Sequence, residues 1–269
     1  MKTILIFAFI LMTGTNSLRA EEKILRVCAD PNNLPFSNQH EEGFENKIVD
    51  LVATELDSRV EYTWWAQRRG FKRNTLEAGH CDLWPGIASS SEKVFLPRPY
   101  YRSTYVFLSR ADRHLDISSF DDPRLADLII GVQMIGDDGA NSPPAHALTS
   151  HGHVNNIRGY MLYGDYKQAN PPSSIVDAVA EGKIDLAIVW GPLAGYFADI
   201  SPVKLITIPV NPMLHNSEWN MAFDISMGVQ QGNEKLRAQL NKILTQKNDR
   251  IHEILSSYNV PLVEKKDKK

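Results

Sequence analysis

The sequence predicts an α/β fold of two lobes on either side of a cleft, with the chain crossing twice between them. Two observations lead to this prediction. Strand and helix patterns alternate in two successive units, and amphipathic helices follow a late strand near the C-terminus. The 269 residues are enough to give each unit its own core. Two lobes joined by two crossings form a hinge, and hinged lobes bind ligands by closing around them.

The elements of the first unit can be assigned in order from the spacing of apolar residues. Residues 24–29 form a short apolar strand, which turn-forming residues end. Residues 44–56 have helical spacing, residues 60–64 alternate as a strand does, and residues 71–78 are predicted to be a helix that stops at Gly79. Residues 81–84 return as a strand. This order predicts a sheet with helices on its faces.

A further strand at residues 104–108 leads to the second unit, which begins after Pro123. Strands are predicted at 128–132, 184–189, 205–209 and 227–229, and short helices at 145–148 and 175–180. Two apolar helical faces, around Leu240 and Ile254, follow the last strand. We therefore assign residues 21–110 and 216–263 to lobe 1 and residues 111–215 to lobe 2, with a charged, disordered tail at 264–269.

The first 20 residues have the three-part layout of a secretory signal peptide. Lys2 precedes an apolar run at residues 4–12, and Ala20 offers a small residue for cleavage. Such a run is too short to cross a bilayer, which takes about 20 residues. We therefore expect an exported protein that has no membrane span.

Export gives the two cysteines a meaning. Cys28 and Cys81 would enter an oxidising compartment, where an even number of cysteines is typical of disulfides. A bridge between them would close a loop of about 53 residues and stabilise the fold by roughly 4 kcal/mol. Two buried free thiols remain the alternative.

Composition excludes several functions. The formal net charge is −3, so the chain lacks the basic excess that nucleic-acid-binding proteins usually carry. Neither a phosphate-binding glycine-rich loop nor a Gly-X-Ser-X-Gly motif is present. His146, His151 and His153 lie near one another without a clear carboxylate partner, which is a weak signal for a metal. We expect no catalytic residues, no metal and no bound cofactor.

Several long and unusual sequence blocks stand out. They are LRVCADPNNLPFS at residues 25–37, GFEN at 43–46, WAQRRGF at 65–71, RPYYRSTYVF at 98–107, IGDDGAN at 135–141 and VWGPLAGY at 189–196. With these blocks the chain resembles the type II extracytoplasmic solute-binding proteins, and within them the MxaJ/MoxJ and XoxJ group associated with quinoprotein alcohol dehydrogenases. The resemblance covers nearly the whole mature chain.

This resemblance implies a fold of two mixed sheets flanked by helices, and a periplasmic location. It also implies a role in assembling or activating a methanol dehydrogenase that uses pyrroloquinoline quinone. The expected partners of this chain are that enzyme and its cytochrome c, and the chain itself is expected to be a monomer. Two alternatives remain: the solute receptor of an ABC importer for a small ligand other than an amino acid, and an enzyme on the same scaffold.

The cleft can be assigned only in outline. Amino-acid-binding relatives hold the ligand carboxylate with an arginine, but the matching position here is Ser90, which argues against an amino-acid receptor. Fourteen residues are predicted to line the ligand or partner cleft. They are Asp30, Asn33, Phe36, Phe44, Glu45, Arg68, Arg69, Phe71, Tyr100, Tyr101, Arg102, Asp137, Asp138 and Trp190.

Three groups among these residues allow a second interpretation. Arg68 and Arg69, with their aromatic neighbours, form either a partner surface or a solvated helix face. Asp137 and Asp138 either repel an anionic ligand or only cap a helix. Trp190 either stacks on a ligand or lies in the core.

Overall fold

The computed structural model describes residues 22–68, 70–89, 94–134, 141–163, 169–210 and 219–264. The predicted signal peptide, the last five residues of the predicted tail, and Arg69, Asp137 and Asp138 lie outside these ranges. Within them, none of the helices is both long enough and apolar enough to cross a lipid bilayer.

Strands and helices alternate along the described residues, joined by turns and short 3₁₀ segments. The N-terminal elements are β1 (Lys23–Ala29), β2 (Asn32–Asn33), β3 (Ser37–Asn38), α1 (Phe44–Glu55), β4 (Ser58–Trp64), α2 (Phe71–Asn74), β5 (Leu83–Ala88) and β6 (Tyr101–Arg110). The later ones are β7 (Ile130–Gln133), α3 (Pro143–Ser150), β8 (Ile157–Tyr160), α4 (Ser174–Ala180), β9 (Leu186–Trp190), α5 (Gly191–Asp199), β10 (Leu205–Pro209), β11 (Ala222–Val229), α6 (Glu234–Gln246) and α7 (Asn248–Ser257).

Among the described residues, nine strands form two sheets that share β6, and β2 pairs with β3 apart from them. The strand order is β4-β1-β5-β11-β6-β9-β7-β8, and β10 also pairs with β6. The first part of β6, up to Thr104, pairs with β11, whereas the part from Tyr105 onward pairs with β9 and β10. The chain therefore crosses between lobes inside a strand. The mixed parallel and antiparallel pairing confirms the predicted α/β fold of two lobes.

Each lobe has its own core. In the first lobe, Phe44 and Ile48 on α1 are fully buried and belong to one cluster with Leu240 on α6 and Leu255 on α7. The C-terminal helices therefore return to the first lobe. In the second lobe, one cluster includes residues of α3 and another includes residues of α4 and α5. The limits predicted for the lobes stay predictions, because β6 belongs to both sheets.

Two element assignments in the first lobe were wrong. The helix predicted for residues 71–78 ends at Asn74, because Thr75 leaves helical geometry with φ −128° and ψ −84°. The Thr75 hydroxyl donates a hydrogen bond of 2.6 Å to the Phe71 carbonyl, which stabilises this stop. The strand predicted at 81–84 begins only at Leu83.

The disulfide is confirmed. Cys28 on β1 is bonded to Cys81, just before the neighbouring strand β5, with a distance of 5.6 Å between the Cα atoms. The bridge is fully buried and packs with Phe71 and Leu76. The alternative of two free thiols is therefore wrong.

Candidate functional site

A cavity of about 290 Å³ lies between the two lobes. It is the candidate site because residues of both lobes line it, including Tyr105 at the position where β6 changes partners. Its other lining residues are Asn33, Phe36, Glu45, Gln67 and Gly86 of the first lobe and Gln133, Leu162, Tyr163, Trp190 and Leu193 of the second.

Asp30 does not line the cavity, but it holds in place the segments that carry two lining amides, Asn33 and Gln67. Its buried carboxylate accepts hydrogen bonds from the backbone N–H of Asn32, at 2.9 Å, and of Gln67, at 2.6 Å. The Asn33 amide then donates to the Gln67 side chain at 3.3 Å. Burial raises the pKa of Asp30, and the two backbone hydrogen bonds oppose this shift. The carboxylate thus fixes two amide side chains at the cavity wall.

Glu45 is the ionisable carboxyl group of this wall. It lies in the first turn of α1, and only 3% of its surface is exposed. Burial raises its pKa to about 8. No described residue donates a hydrogen bond to its carboxylate, although the positive end of the helix dipole lies at this turn. A buried acid without a partner is costly, so Glu45 is the chemically unusual group of the site.

Glu45 fits the wall because position 86 is a glycine. Gly86 has a φ of +75°, and a Cβ there would overlap the Glu45 carboxylate. Gly182 has a similar φ of +71° but nothing within 4 Å of a Cβ built on it.

We therefore expect Gly86→Ala to destabilise the protein more than Gly182→Ala. Both changes carry the cost of a left-handed backbone, about 1–2 kcal/mol. Only the first also displaces the Glu45 carboxylate. Urea unfolding of both variants measures the difference, and equal losses would mean that Glu45 moves aside without cost.

Aromatic rings line the cavity from both lobes. Trp190 ends β9 and packs edge-on against Tyr105, with 5.3 Å between ring centroids, and against Phe223 at 6.0 Å. Phe36 is held by an edge-on contact with Phe44 at 5.3 Å. The ring of Trp190 packs on core aromatics and also lines the cavity. It is therefore partly a core residue, as one interpretation has it, and it also has a face available to a ligand, as the other requires.

Several predicted cleft residues lie behind the cavity wall rather than on it. Phe44, Tyr100 and Tyr101 are buried in the first-lobe core, where they belong to one hydrophobic cluster. The Tyr100 hydroxyl accepts a hydrogen bond of 3.2 Å from the Gly86 N–H, so it supports the wall from behind. Phe71 packs instead against Trp84 beside the disulfide.

The predicted arginines do not line the cavity either. Arg102 forms an ion pair of 3.1 Å with Asp224 on the neighbouring strand. Arg68 is exposed next to Gln67, and its charge acts on the Asp30 carboxyl group. Of the described residues that line the cavity, none is cationic. The described lining therefore offers no arginine to pair with a ligand carboxylate, in agreement with the serine at position 90.

Sequence reasoning missed seven lining residues. They are Gln67, Gly86, Tyr105, Gln133, Leu162, Tyr163 and Leu193. One signal was available, because Gln133 is the last residue of β7, and ligands of α/β sheets gather at the carboxyl ends of strands. The described residues hold no cluster of three or more His, Cys, Asp and Glu side chains suited to a metal.

Comparisons with known proteins agree with this architecture. Residues 25–260 match the bacterial extracellular solute-binding proteins, family 3. Protein MoxJ of Methylorubrum extorquens is 30% identical over 251 residues, which cover 89% of this chain and 81% of MoxJ.

Two solved structures extend the comparison. The crystal structure of periplasmic binding protein XoxJ from Methylobacterium extorquens AM1 is 37% identical, with a TM-score of 0.73, and the match covers 90% of this chain and 100% of XoxJ. That of MxaJ from Methlophaga aminisulfidivorans MPT is 25% identical, with a TM-score of 0.77, and the match covers 89% of this chain and 100% of MxaJ. The chain therefore belongs to the bacterial extracellular solute-binding proteins of family 3 and, within them, to the MxaJ/MoxJ–XoxJ group.

Proposed function

We propose that this protein is a periplasmic accessory protein that binds a quinoprotein methanol dehydrogenase and helps it to assemble or become active. The observation that supports this role most directly is the likeness to MoxJ and XoxJ along most of the chain. The cavity adds to it, because its described lining has no cationic group to hold the carboxylate of an amino acid. In this proposal the protein is not catalytic, has no cofactor of its own, and acts as a monomer.

The surface we propose for the dehydrogenase is the loop after β4. Trp65 is 43% exposed, and Arg68 is exposed beside it. Tryptophan and arginine are the side chains that most often dominate the binding energy of protein interfaces. This loop also carries Gln67 into the cavity wall, so a partner bound there would cover one side of the cleft.

An assembly experiment tests the proposed function. Metal-free, quinone-free dehydrogenase is mixed with its quinone and either calcium or a lanthanide, with and without this protein. We expect a complex on size-exclusion chromatography and a larger active fraction when the protein is present. Unchanged activity, together with no complex under either metal condition, would exclude the accessory role. Adding cytochrome c shows whether it joins the complex.

Trp65→Ala is expected to weaken binding of the dehydrogenase by about 10- to 30-fold, as for an interface hot spot worth about 2 kcal/mol. Titration calorimetry measures the dissociation constant. Ile200→Ala is the control, because Ile200 is an exposed apolar residue of the second lobe, at 59% exposure. If both variants bind as the unmodified protein does, the contact surface lies elsewhere, although the accessory role could still hold.

A second candidate function is a solute receptor for an ABC importer. The feature that favours it is the cavity between the lobes, since family 3 proteins are solute-binding proteins by description. A ligand that binds only the folded protein raises its melting temperature by mass action. We expect a receptor to show such a shift with its solute, whereas the accessory role needs none.

A further inference from the structure

We propose that the cavity between the lobes binds a small organic ammonium ion, with the Glu45 carboxylate as its counter-ion and aromatic side chains of both lobes as its walls. This site does not depend on the dehydrogenase, so either proposal can fail without the other. Three features of the cavity lead to it: the charge of its lining, the environment of Glu45, and the chemistry of its walls.

The described lining carries one kind of charge. Glu45 is the acidic residue of this set, and neither lysine nor arginine occurs in it. The other polar groups of the wall are the neutral amides of Asn33, Gln67 and Gln133 and the hydroxyls of Tyr105 and Tyr163. Within the described lining, an anion would face the ionised form of Glu45 without a compensating cation, whereas a cation would pair with that form.

Glu45 is built into the wall and is not a surface acid that happens to lie near a cavity. It is almost fully buried, it lines the cavity, and no described residue donates a hydrogen bond to its carboxylate. Gly86 leaves the space that the carboxylate occupies. A buried acid with this environment gains most from a ligand that supplies both a positive charge and hydrogen-bond donors or polarised methyl groups.

The walls are of the kind that favours organic cations. Phe36, Tyr105, Tyr163 and Trp190 bring aromatic side chains from both lobes to the cavity. Aromatic faces attract alkylammonium ions through the ring quadrupole, and aromatic cages are the common solution for quaternary ammonium ligands. A cavity of about 290 Å³ restricts the ligand to a small molecule.

The protonation state of Glu45 before binding gives the proposal a measurable consequence. Its pKa of about 8 means that roughly nine-tenths of the free protein carries a proton on Glu45 at pH 7. The tyrosines whose charges interact with it are Tyr62 on β4, Tyr100 and Tyr101. Burial raises the pKa of all three, so they stay neutral from pH 6 to 9. An ammonium ion must therefore displace the Glu45 proton when it binds at pH 7.

Titration calorimetry with choline chloride tests the proposal, because choline keeps its charge at every pH used. The neutral isostere 3,3-dimethylbutan-1-ol is the matched ligand. We expect choline to bind at least about tenfold more tightly than the alcohol. In two buffers of different ionisation enthalpy, binding at pH 7 should release close to one proton, and at pH 9.5 almost none.

Two variants complete the test. Glu45→Gln keeps the shape of the side chain, and we expect it to weaken choline binding at least about tenfold and to abolish proton release. Glu61→Gln removes an exposed carboxylate of the same lobe, which pairs with Arg59, and should leave both unchanged. Any of three results would overturn the proposal: choline and the alcohol bind equally tightly, Glu45→Gln binds choline as tightly as the unmodified protein, or choline at millimolar concentration shows no binding.

Discussion

Replacing both cysteines by alanine is expected to lower the free energy of unfolding by about 4 kcal/mol. The disulfide between Cys28 and Cys81 closes a loop across 53 positions, and without it the unfolded chain gains the conformations that this closure forbids. The folded state also loses packing, since both cysteines are fully buried beside Phe71 and Leu76. Urea unfolding measures the loss as a lower midpoint, with a steeper dependence on urea because the unfolded chain is more expanded.

Reduction provides the control for this prediction. Dithiothreitol should shift the unfolding midpoint of the unmodified protein toward that of the Cys28→Ala/Cys81→Ala variant and leave the variant itself unchanged. The prediction is contradicted if reduction leaves the unmodified protein unchanged and the variant is equally stable. The disulfide also lies close to the cavity, because β1 pairs with β5 and β5 carries the lining residue Gly86. Choline binding measured on the same variant therefore shows whether the disulfide also orders the site.

The strands that could be predicted from sequence are those with a local signal. Residues 60–64 alternate apolar and polar side chains and form most of β4, and residues 205–209, which are mostly apolar, form β10. Helix α5 was missed, although Pro192 stands in its first turn, where proline is favourable, because Trp190-Gly191-Pro192 looked like the end of a strand. Edge strand β8 has only four residues and none of them is fully buried, so its pattern carried little information.

Four of the predicted cleft residues that the structure describes line the cavity: three from the N-terminal segment, and Trp190 at the end of β9. Asn33, Phe36 and Glu45 lie within the first resembling blocks and do line the cavity. Gln133 and Leu162 join them from the other lobe. The place of Gln133 at the carboxyl end of β7 was the one signal of this approach, and nothing in the local sequence marks Leu162. The burial of Glu45 depends on Gly86, which lies on a different strand, so the unusual state of this acid follows from the fold alone.

Placement in the fold also separates the charged and aromatic residues that look alike in sequence. Arg68 is exposed, whereas Phe71, three positions later, is buried in the core beside the disulfide. Arg102 is neutralised by Asp224. The first lobe therefore offers two distinct surfaces: an exposed loop with Trp65 and Arg68, and an inner wall with Glu45. We propose the first as the surface for a protein partner and the second as the site for a small cation.

Glu45 should make the protein lose stability as the pH rises, and Glu45→Gln should remove this loss. The pKa of Glu45 is about 8 in the folded protein and 4.5 for an ordinary glutamate, so between these values the folded state binds more protons than the unfolded state. The neutral acid therefore contributes fully below pH 4.5, its contribution declines with rising pH, and the decline ends above about pH 8. The total loss from this group is about 5 kcal/mol.

The measurement is urea unfolding from pH 5 to 9 on the unmodified protein, Glu45→Gln and Glu61→Gln. Because other groups titrate in all three proteins, the informative quantity is the difference between variants at each pH. Glu45→Gln should gain stability relative to the unmodified protein with rising pH, and the gain should level off above pH 8, while Glu61→Gln runs parallel to the unmodified protein. A constant difference across this range would mean that Glu45 ionises normally, and a choline-dependent difference at pH 9 would show that the bound cation restores what ionisation removes.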